Sequence, residues 1–185
     1  KNSYGGLDDE FTKRGWAALV TADVIQQIFF AMLTIAKDPK YAKGMLDEEW
    51  KKILLVLEKG SLKELYDQLD ELAKRLRTLE RRIELNDAVK VALIGEIFVR
   101  NEEFSRMELV ERLIENGILV KVAPIAEYVH YSNYTYKRDL KKDKASLKGK
   151  VKFKIREYVQ HRIEHNIKKV LSKSGFYEFE MINIE

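Results

Sequence analysis

The sequence predicts a helix-rich α/β fold in which a small parallel sheet stands beside an N-terminal helical bundle. Two short β-branched runs, Val89-Lys-Val-Ala-Leu-Ile94 and Gly117-Ile-Leu-Val-Lys-Val122, read as strands. The stretch between them opens on acids and then takes a helical period, leaving room for one crossover helix and little else, so the strands should be parallel neighbours with a right-handed connection. Ahead of them lie three long segments with helical periodicity.

Leu7 to Ala36 contains the first helix. Its apolar positions Trp16, Leu19, Val20, Ile25, Ile28, Phe29, Met32, Leu33 and Ile35 go most of the way around, which predicts a helix enclosed by neighbours. Gly15 to Ala36 holds a single charge, Asp23, and is about the length that spans a bilayer. An acid with Gln26 and Gln27 near the middle is costly in lipid, so a helix buried in protein is the better reading. Lys37-Asp-Pro-Lys40 should end it, and a second helix is expected to start near Asp47-Glu-Glu49, with Leu46, Trp50, Ile53 and Leu57 on its inner face. Gly60 suits a left-handed C-terminal position, and Ser61 with Glu64 forms a capping box for the next helix. That helix repeats Leu62, Leu65, Leu69, Leu72, Leu76, Leu79 and Ile83 in 3-4 alternation. Such a seam fits either a coiled-coil dimer or packing inside the domain; the short Gly-Ser connection supplies an antiparallel neighbour and favours the second.

In the crossover, Asn101 is expected to cap a helix whose buried face is Met107, Leu109, Val110, Leu113 and Ile114. Pro124 closes the second strand, and Ala126 to Tyr131 should be a short helix. Ser132 to Lys148 has no apolar period and many charges, which predicts a loop or arm. A last helix carries Val151, Ile155, Val159, Ile163, Ile167 and Leu171 at every fourth residue, with Tyr158 and Val170 beside them, and stops at Ser174-Gly175; Phe176 to Glu185 alternates as an edge strand would. The whole is a flavodoxin-like partial lobe with an N-terminal bundle: one domain, divided into a helical part (1–86), a βαβ part (87–131) and a basic arm, helix and terminal segment (132–185).

The absence of cysteine among the 185 residues excludes disulfides, thiolate zinc sites, cysteine nucleophiles and cysteine-held iron–sulfur clusters within this segment. No signal or transit peptide is legible, so the expected location is the cytoplasm, and a first residue other than Met suggests a piece of a longer protein. A charged share of 35% exceeds the typical quarter and fits long exposed helices. The net charge of +4 is unevenly spread: residues 137–173 hold 14 Lys and Arg against 4 Asp and Glu, a balance of +10, which leaves −6 for the rest.

Three groups of residues are candidates for function. Glu96, Arg100 and Asn101 lie at the carboxyl end of the first strand, where open α/β sheets place ligands, although a local ion pair and a helix cap would use the same residues. Lys141, Lys142 and Lys144, within the basic stretch Lys137 to Lys154, could face phosphates or another domain; with Tyr128, Tyr131, Tyr134 and Tyr136 ahead of them they also resemble a nucleic-acid footprint, but no base-reading motif stands out. His161-Arg-Ile-Glu-His165 matches the H-x-x-E-H zinc-peptidase pattern. Both histidines sit about 200° around the helix from the nearest member of the apolar stripe, among Arg162, Lys168 and Lys169, and no third ligand is evident. Solvent-exposed histidines and no metal are therefore expected.

Three stretches, Ile94-Gly-Glu-Ile-Phe-Val-Arg-Asn101, Leu109-Val-Glu-Arg-Leu-Ile-Glu-Asn-Gly-Ile118 and Val122-Ala-Pro-Ile-Ala-Glu-Tyr128, resemble the D-component region of the 2-hydroxyglutaryl-CoA dehydratase family. The closer likeness is to the form found in large activase-related proteins, where that region follows ATP-binding activator domains, and Gly15-Trp-Ala-Ala-Leu-Val-Thr-Ala-Asp23 fits the same region. The resemblance implies radical dehydration of a 2-hydroxyacyl-CoA, started by one electron that an ATP-driven activator injects into a [4Fe–4S] cluster. The cluster cysteines lie outside this sequence, so no catalytic residue is carried over, and Lys37-Asp-Pro-Lys40 stands where the family often has Arg-Pro-Tyr-Glu. The expected role is a scaffold whose partners are the remaining domains of its chain, with acyl-CoA as candidate ligand and the [4Fe–4S] cluster and ATP belonging to the parent system. The alternative is a stand-alone polyanion or nucleic-acid-binding module that uses residues 137–173.

Overall fold

The computed structural model describes residues 9–142 and 147–183, with the side chains of residues 9 and 140–142 excepted. Helix α1 (Asp9–Ile35) is the axis of the molecule, packed by α2 (Pro39–Lys59), α8 (Leu147–Leu171), the second strand and, along one side, the crossover and α7 (Ala126–Lys142). Its Ala17, Val20, Val24, Ile28, Met32 and Ile35 are all but sealed from solvent, as an all-round apolar helix requires. By length and composition α1 could cross a membrane, and here most of that window is buried against the other elements.

Helix α2 starts at Pro39, well before the expected Asp47. Asp38 is its N-cap, accepting from the Tyr41 N–H at 2.9 Å, and proline at the first turn needs no N–H partner. Glu49 therefore falls mid-helix rather than in a first turn, and it is buried with Lys52, Gln68 and Arg75 around its carboxylate. Burial works to raise that carboxyl, but the hydrogen bonds from Lys52 and Arg75 outweigh it and hold it below the usual range.

The capping box at α3 (Leu62–Arg77) is formed: Ser61 N–H donates to Glu64 Oε2 at 2.7 Å and Glu64 N–H donates to Ser61 Oγ at 3.3 Å. Gly60 is extended rather than left-handed, with φ −87°. Its lack of a side chain matters for another reason, since a Cβ there would meet Val56 O and Cγ1 at 2.8 Å. Leu65, Leu69, Leu72 and Leu76 are buried against α2 and α8, so the leucine seam is spent inside the domain. Helix α3 ends before Ile83, which is exposed; the chain there is pinned to α1 by the Arg82 N–H, which donates to Ile35 O at 2.7 Å.

Strands β1 (Lys90–Leu93) and β2 (Leu119–Val122) pair in parallel, Lys90 opposite Leu119 and Leu93 opposite Val122. Val120 and Val122 are buried with Phe30 and Val110, whereas Val89, Val91 and Ile94 around the first strand are exposed. The crossover is three short helices instead of one: α4 (Ile97–Asn101), α5 (Glu103–Arg106) and α6 (Leu109–Glu115). Met107 and Glu108 both take left-handed φ, 49° and 59°, and break it. Only Val110 of the expected buried face is fully enclosed; Leu113 and Ile114 are partly so, while Met107 and Leu109 face solvent.

Residues 132–142 are helical, not the loop that charge suggested. Helix α7 buries Ala126, His130 and Asn133, a 4-3 period, and two of those three residues are polar, which is why an apolar period was absent. In α8 the i+4 stripe does not stay on one face, because four residues advance 400° and each step drifts by about 40°. Val151 and Ile155 are consequently exposed, as is Tyr158, and the face that turns inward is Phe153, Ile163, Glu164, Ile167, Lys168 and Leu171. A 3₁₀ turn (Ser172–Ser174) and Gly175 at φ 78° end the helix. Of the expected edge strand Phe176 to Glu185, residues 184–185 lie outside the described residues, and 176–183 form no strand: they are held by buried Phe176 and Tyr177 and by ion pairs of Glu178 with Lys90 and Lys121.

Candidate functional site

Five of the enclosed charged and polar side chains, Asp23, His130, Asn133, Glu164 and Lys168, gather where α1, α7 and α8 meet. Asp23, the one charged residue between Gly15 and Ala36, accepts the Ile125 N–H at 3.0 Å and the Ala126 N–H at 2.8 Å. These are among the N–H groups that the first turn of α7 cannot satisfy internally, so α1 caps α7 through space. Burial raises the Asp23 carboxyl above its ordinary value, with the two N–H groups, Lys168 and Arg100 pulling the other way.

Glu164, fully enclosed, sits between two nitrogen bases: His130 Nε2 is 2.7 Å from Oε2 and Lys168 Nζ is 2.6 Å from Oε1. Burial acts to raise this carboxyl, and His130 and Lys168 together overcome it and hold it below the usual range. The ring of His130 meets the edge of Trp16 at 5.4 Å, and Trp16 is itself fixed by its Nε1–H, which donates to Gln160 O at 2.8 Å. Asn133 Nδ2 donates to Gln160 Oε1 at 2.9 Å, tying α7 to α8 a turn further on. His161 lies at the surface with its ring 5.0 Å from that of His130. His165 is also exposed but packs edge-on against Phe179 at 5.5 Å, so the two histidines of the sequence motif do not converge. A neighbouring cavity of about 220 Å³ is lined by Val20, Asp23, Gln27, Pro124, Lys168 and Glu180 among others.

At the carboxyl end of β1, the structure does bring Glu96, Arg100 and Asn101 onto one short helix, and each is engaged. Glu96 caps α4 by accepting the Val99 N–H at 3.0 Å, and the N–H groups of Val99 and Phe98 lower its carboxyl. Arg100 donates to Gly95 O at 2.6 Å and Pro124 O at 3.2 Å, latching the end of β1 to the end of β2. Asn101 is the last residue of α4 rather than a cap; it donates to Ile97 O at 2.8 Å and accepts from Gln26 Nε2 at 3.3 Å. In place of the local ion pair weighed as the alternative for Glu96 and Arg100, both side chains engage backbone groups. Around them Ile94, Phe98, Val99, Phe104 and Met107 are exposed, Phe104 and Met107 by 89% and 81%.

Lys141 and Lys142 end α7, but their side chains, and the whole of Lys144, lie outside the described residues. Of the basic segment, Lys137 pairs with Glu157 at 3.7 Å and Lys173 with Asp70 at 2.8 Å, and Lys168 is a core residue. Sequence reasoning passed over Asp23, His130 and Lys168 as site residues. The available signal was Asp23, an acid that an enclosed helix tolerates only with partners. No protein-family model, no curated protein and no solved structure matches this chain.

Proposed function

We propose that this chain is a scaffold lobe of a 2-hydroxyacyl-CoA dehydratase or activase-related system, presenting a docking face to domains that carry the cluster and the ATP-driven electron transfer. The exposed apolar side chains at the carboxyl end of β1 carry this reading. Ile94, Phe98, Val99, Phe104 and Met107 fall within fourteen consecutive residues and are all at least half exposed, an arrangement that a lone soluble lobe has no use for. Of the three stretches that resemble the dehydratase region, the first, Ile94 to Asn101, runs from the end of β1 through α4 and holds Ile94, Phe98 and Val99 of the apolar face, while the other two lie on α6 and at the β2–α7 junction. With no cysteine in the sequence, this lobe contributes support and surface, and the chemistry belongs to its partners.

The polyanion alternative draws on Lys148, Lys150, Lys152 and Lys154 of α8. A two-residue spacing sends successive lysines about 200° apart around a helix, which splits them into two opposed stripes instead of one phosphate-facing row. Coenzyme A remains the small-molecule candidate for either stripe.

The test uses the cluster-bearing subunit of a 2-hydroxyacyl-CoA dehydratase, expressed separately and mixed anaerobically with this chain in size-exclusion chromatography. A complex should form and be lost in the Phe98→Asp, Phe104→Asp double variant, whose circular dichroism should stay unchanged because both side chains are already in solvent. Absence of any complex overturns the family reading. A complex indifferent to the double substitution overturns the placement of the docking face.

A further inference from the structure

We propose that His130, His161 and Glu164 bind a divalent transition-metal ion, zinc by the chemistry of the donors, in a site that clamps α7 to α8. One ligand atom from each of the three lies within 4.8 Å of the others. Two imidazole nitrogens and one carboxylate oxygen form a borderline-soft set that suits zinc, and three protein ligands leave one position for water.

The three side chains come together for identifiable reasons. His161 and Glu164 are three apart on α8 and so project from one side of it, while His130 reaches across from α7. Glu164 cannot swing, because Lys168 holds Oε1 at 2.6 Å and leaves Oε2 turned to His130. His130 is confined to small rotations, with Trp16 against its ring and Trp16 anchored on Gln160 O. These are the outer contacts that ligand residues need if a metal is to meet them already oriented. His161 is exposed and supplies the mouth, an entry path with room for the water ligand.

At present His130 Nε2 and Glu164 Oε2 are 2.7 Å apart, within hydrogen-bond distance. A metal would take the place of that contact. With bonds of about 2.0–2.1 Å, two donors on a tetrahedral ion stand about 3.3 Å apart, so the pair must open by roughly half an ångström, within reach of rotation at His130. His161 makes the larger move, and as a surface side chain it is the one with freedom to make it. Lys168 opposes a second cation nearby, and Asp23, close enough to Lys168 to feel its charge, offsets that. The ligand set is therefore not the one the H-x-x-E-H motif names: His165 is excluded, and the third ligand comes from a different helix.

The experiment is a titration of the full chain with Co²⁺, read by visible absorption, and with Zn²⁺, read by competition against a chromophoric chelator. One equivalent should bind, with the absorption of a four-coordinate cobalt site. His161→Ala should weaken binding more than the about 10–100-fold that follows loss of an outer partner, and His130→Ala likewise. His165→Ala should leave binding unchanged. Because His161 is exposed, its variant keeps the fold, which circular dichroism checks, so loss of binding there cannot be ascribed to unfolding. Failure to bind one equivalent, binding indifferent to His161→Ala, or loss of binding in His165→Ala would each overturn the proposal.

Discussion

Replacing Glu164 with Leu, first alone and then together with Lys168→Met, tests whether the buried ion pair organises the core. The Lys168 ammonium is 4% exposed and 2.6 Å from Glu164 Oε1. At an effective dielectric of about 20 that contact is worth about 6 kcal/mol before desolvation, which for two buried ions takes back most of it. Glu164→Leu alone leaves a buried ammonium with only the more distant Asp23 to compensate and leaves His130 without its partner. A loss of about 3–5 kcal/mol is expected. The double variant removes both charges and fills the space with apolar atoms, so it should recover most of that loss. Urea unfolding in the presence of a chelator reads both, with the single variant's midpoint well below those of wild type and the double variant. A second signature is the response to acid. Glu164 has its carboxyl held below the usual value, so its contribution is present above the ordinary carboxylate range and disappears as pH falls through the depressed value. Wild type should therefore lose stability on acidification more steeply than the double variant. If the single variant costs less than about 1 kcal/mol, or if the double variant is as unstable as the single, the pair is not the organising contact and the argument fails.

Two further expectations concern α1 and α3. Leu72→Ala should cost about 2–5 kcal/mol by urea unfolding, because Leu72 is fully enclosed in the seam among α2, α3 and α8, and should leave the oligomeric state in sedimentation unaltered; dissociation of a dimer without loss of monomer stability would revive the coiled-coil reading. For Asp23 the sign is opposite to Glu164: burial raises its carboxyl, so the stability it contributes is present below the ordinary carboxylate range and is lost as pH rises through the raised value. Asp23→Asn keeps an acceptor for one N–H and removes the costly charge, so its net effect at neutral pH should be within about 1 kcal/mol, whereas Asp23→Ala orphans the buried Ala126 N–H and the partly buried Ile125 N–H at about 2–4 kcal/mol. Equal losses in the two variants, measured by thermal unfolding, would show that the capping of α7 by α1 is unimportant.

The buried cluster and the β1 face are chemically unlike and lie on different parts of the chain. Asp23, Glu164 and Lys168 are fixed by one another and by backbone groups, which suits a rigid joint between α1, α7 and α8. The face around Phe98 and Phe104 has little to hold it within the chain and suits a surface completed by something else. The metal site and the docking face can accordingly be tested independently, since neither uses a residue of the other.

Features that depend on local chemistry or on an unbroken apolar period are legible in the chain alone. The enclosure of α1 follows from apolar residues on all its sides, the capping box from Ser61 and Glu64, the burial of the leucine seam from its repeat, and the order of β1 and β2 from two β-branched runs with room for only a crossover between them. The rest depends on how the helices pack against one another. Helix α7 buries His130 and Asn133, and no local rule says that a polar residue faces inward until Glu164 and Gln160 are there to meet it. The stripe of α8 misled because a four-residue spacing winds off its face, and α1 and α3 choose which part of the winding is covered. His161 and Glu164 could be read as a pair from their spacing, but the third member stands thirty-four residues before Glu164 on another helix, and chain distance carries no information about that contact. Short-range periodicity encodes which faces are apolar; the partners of buried polar groups are non-local, so they become visible only when the helices are in place.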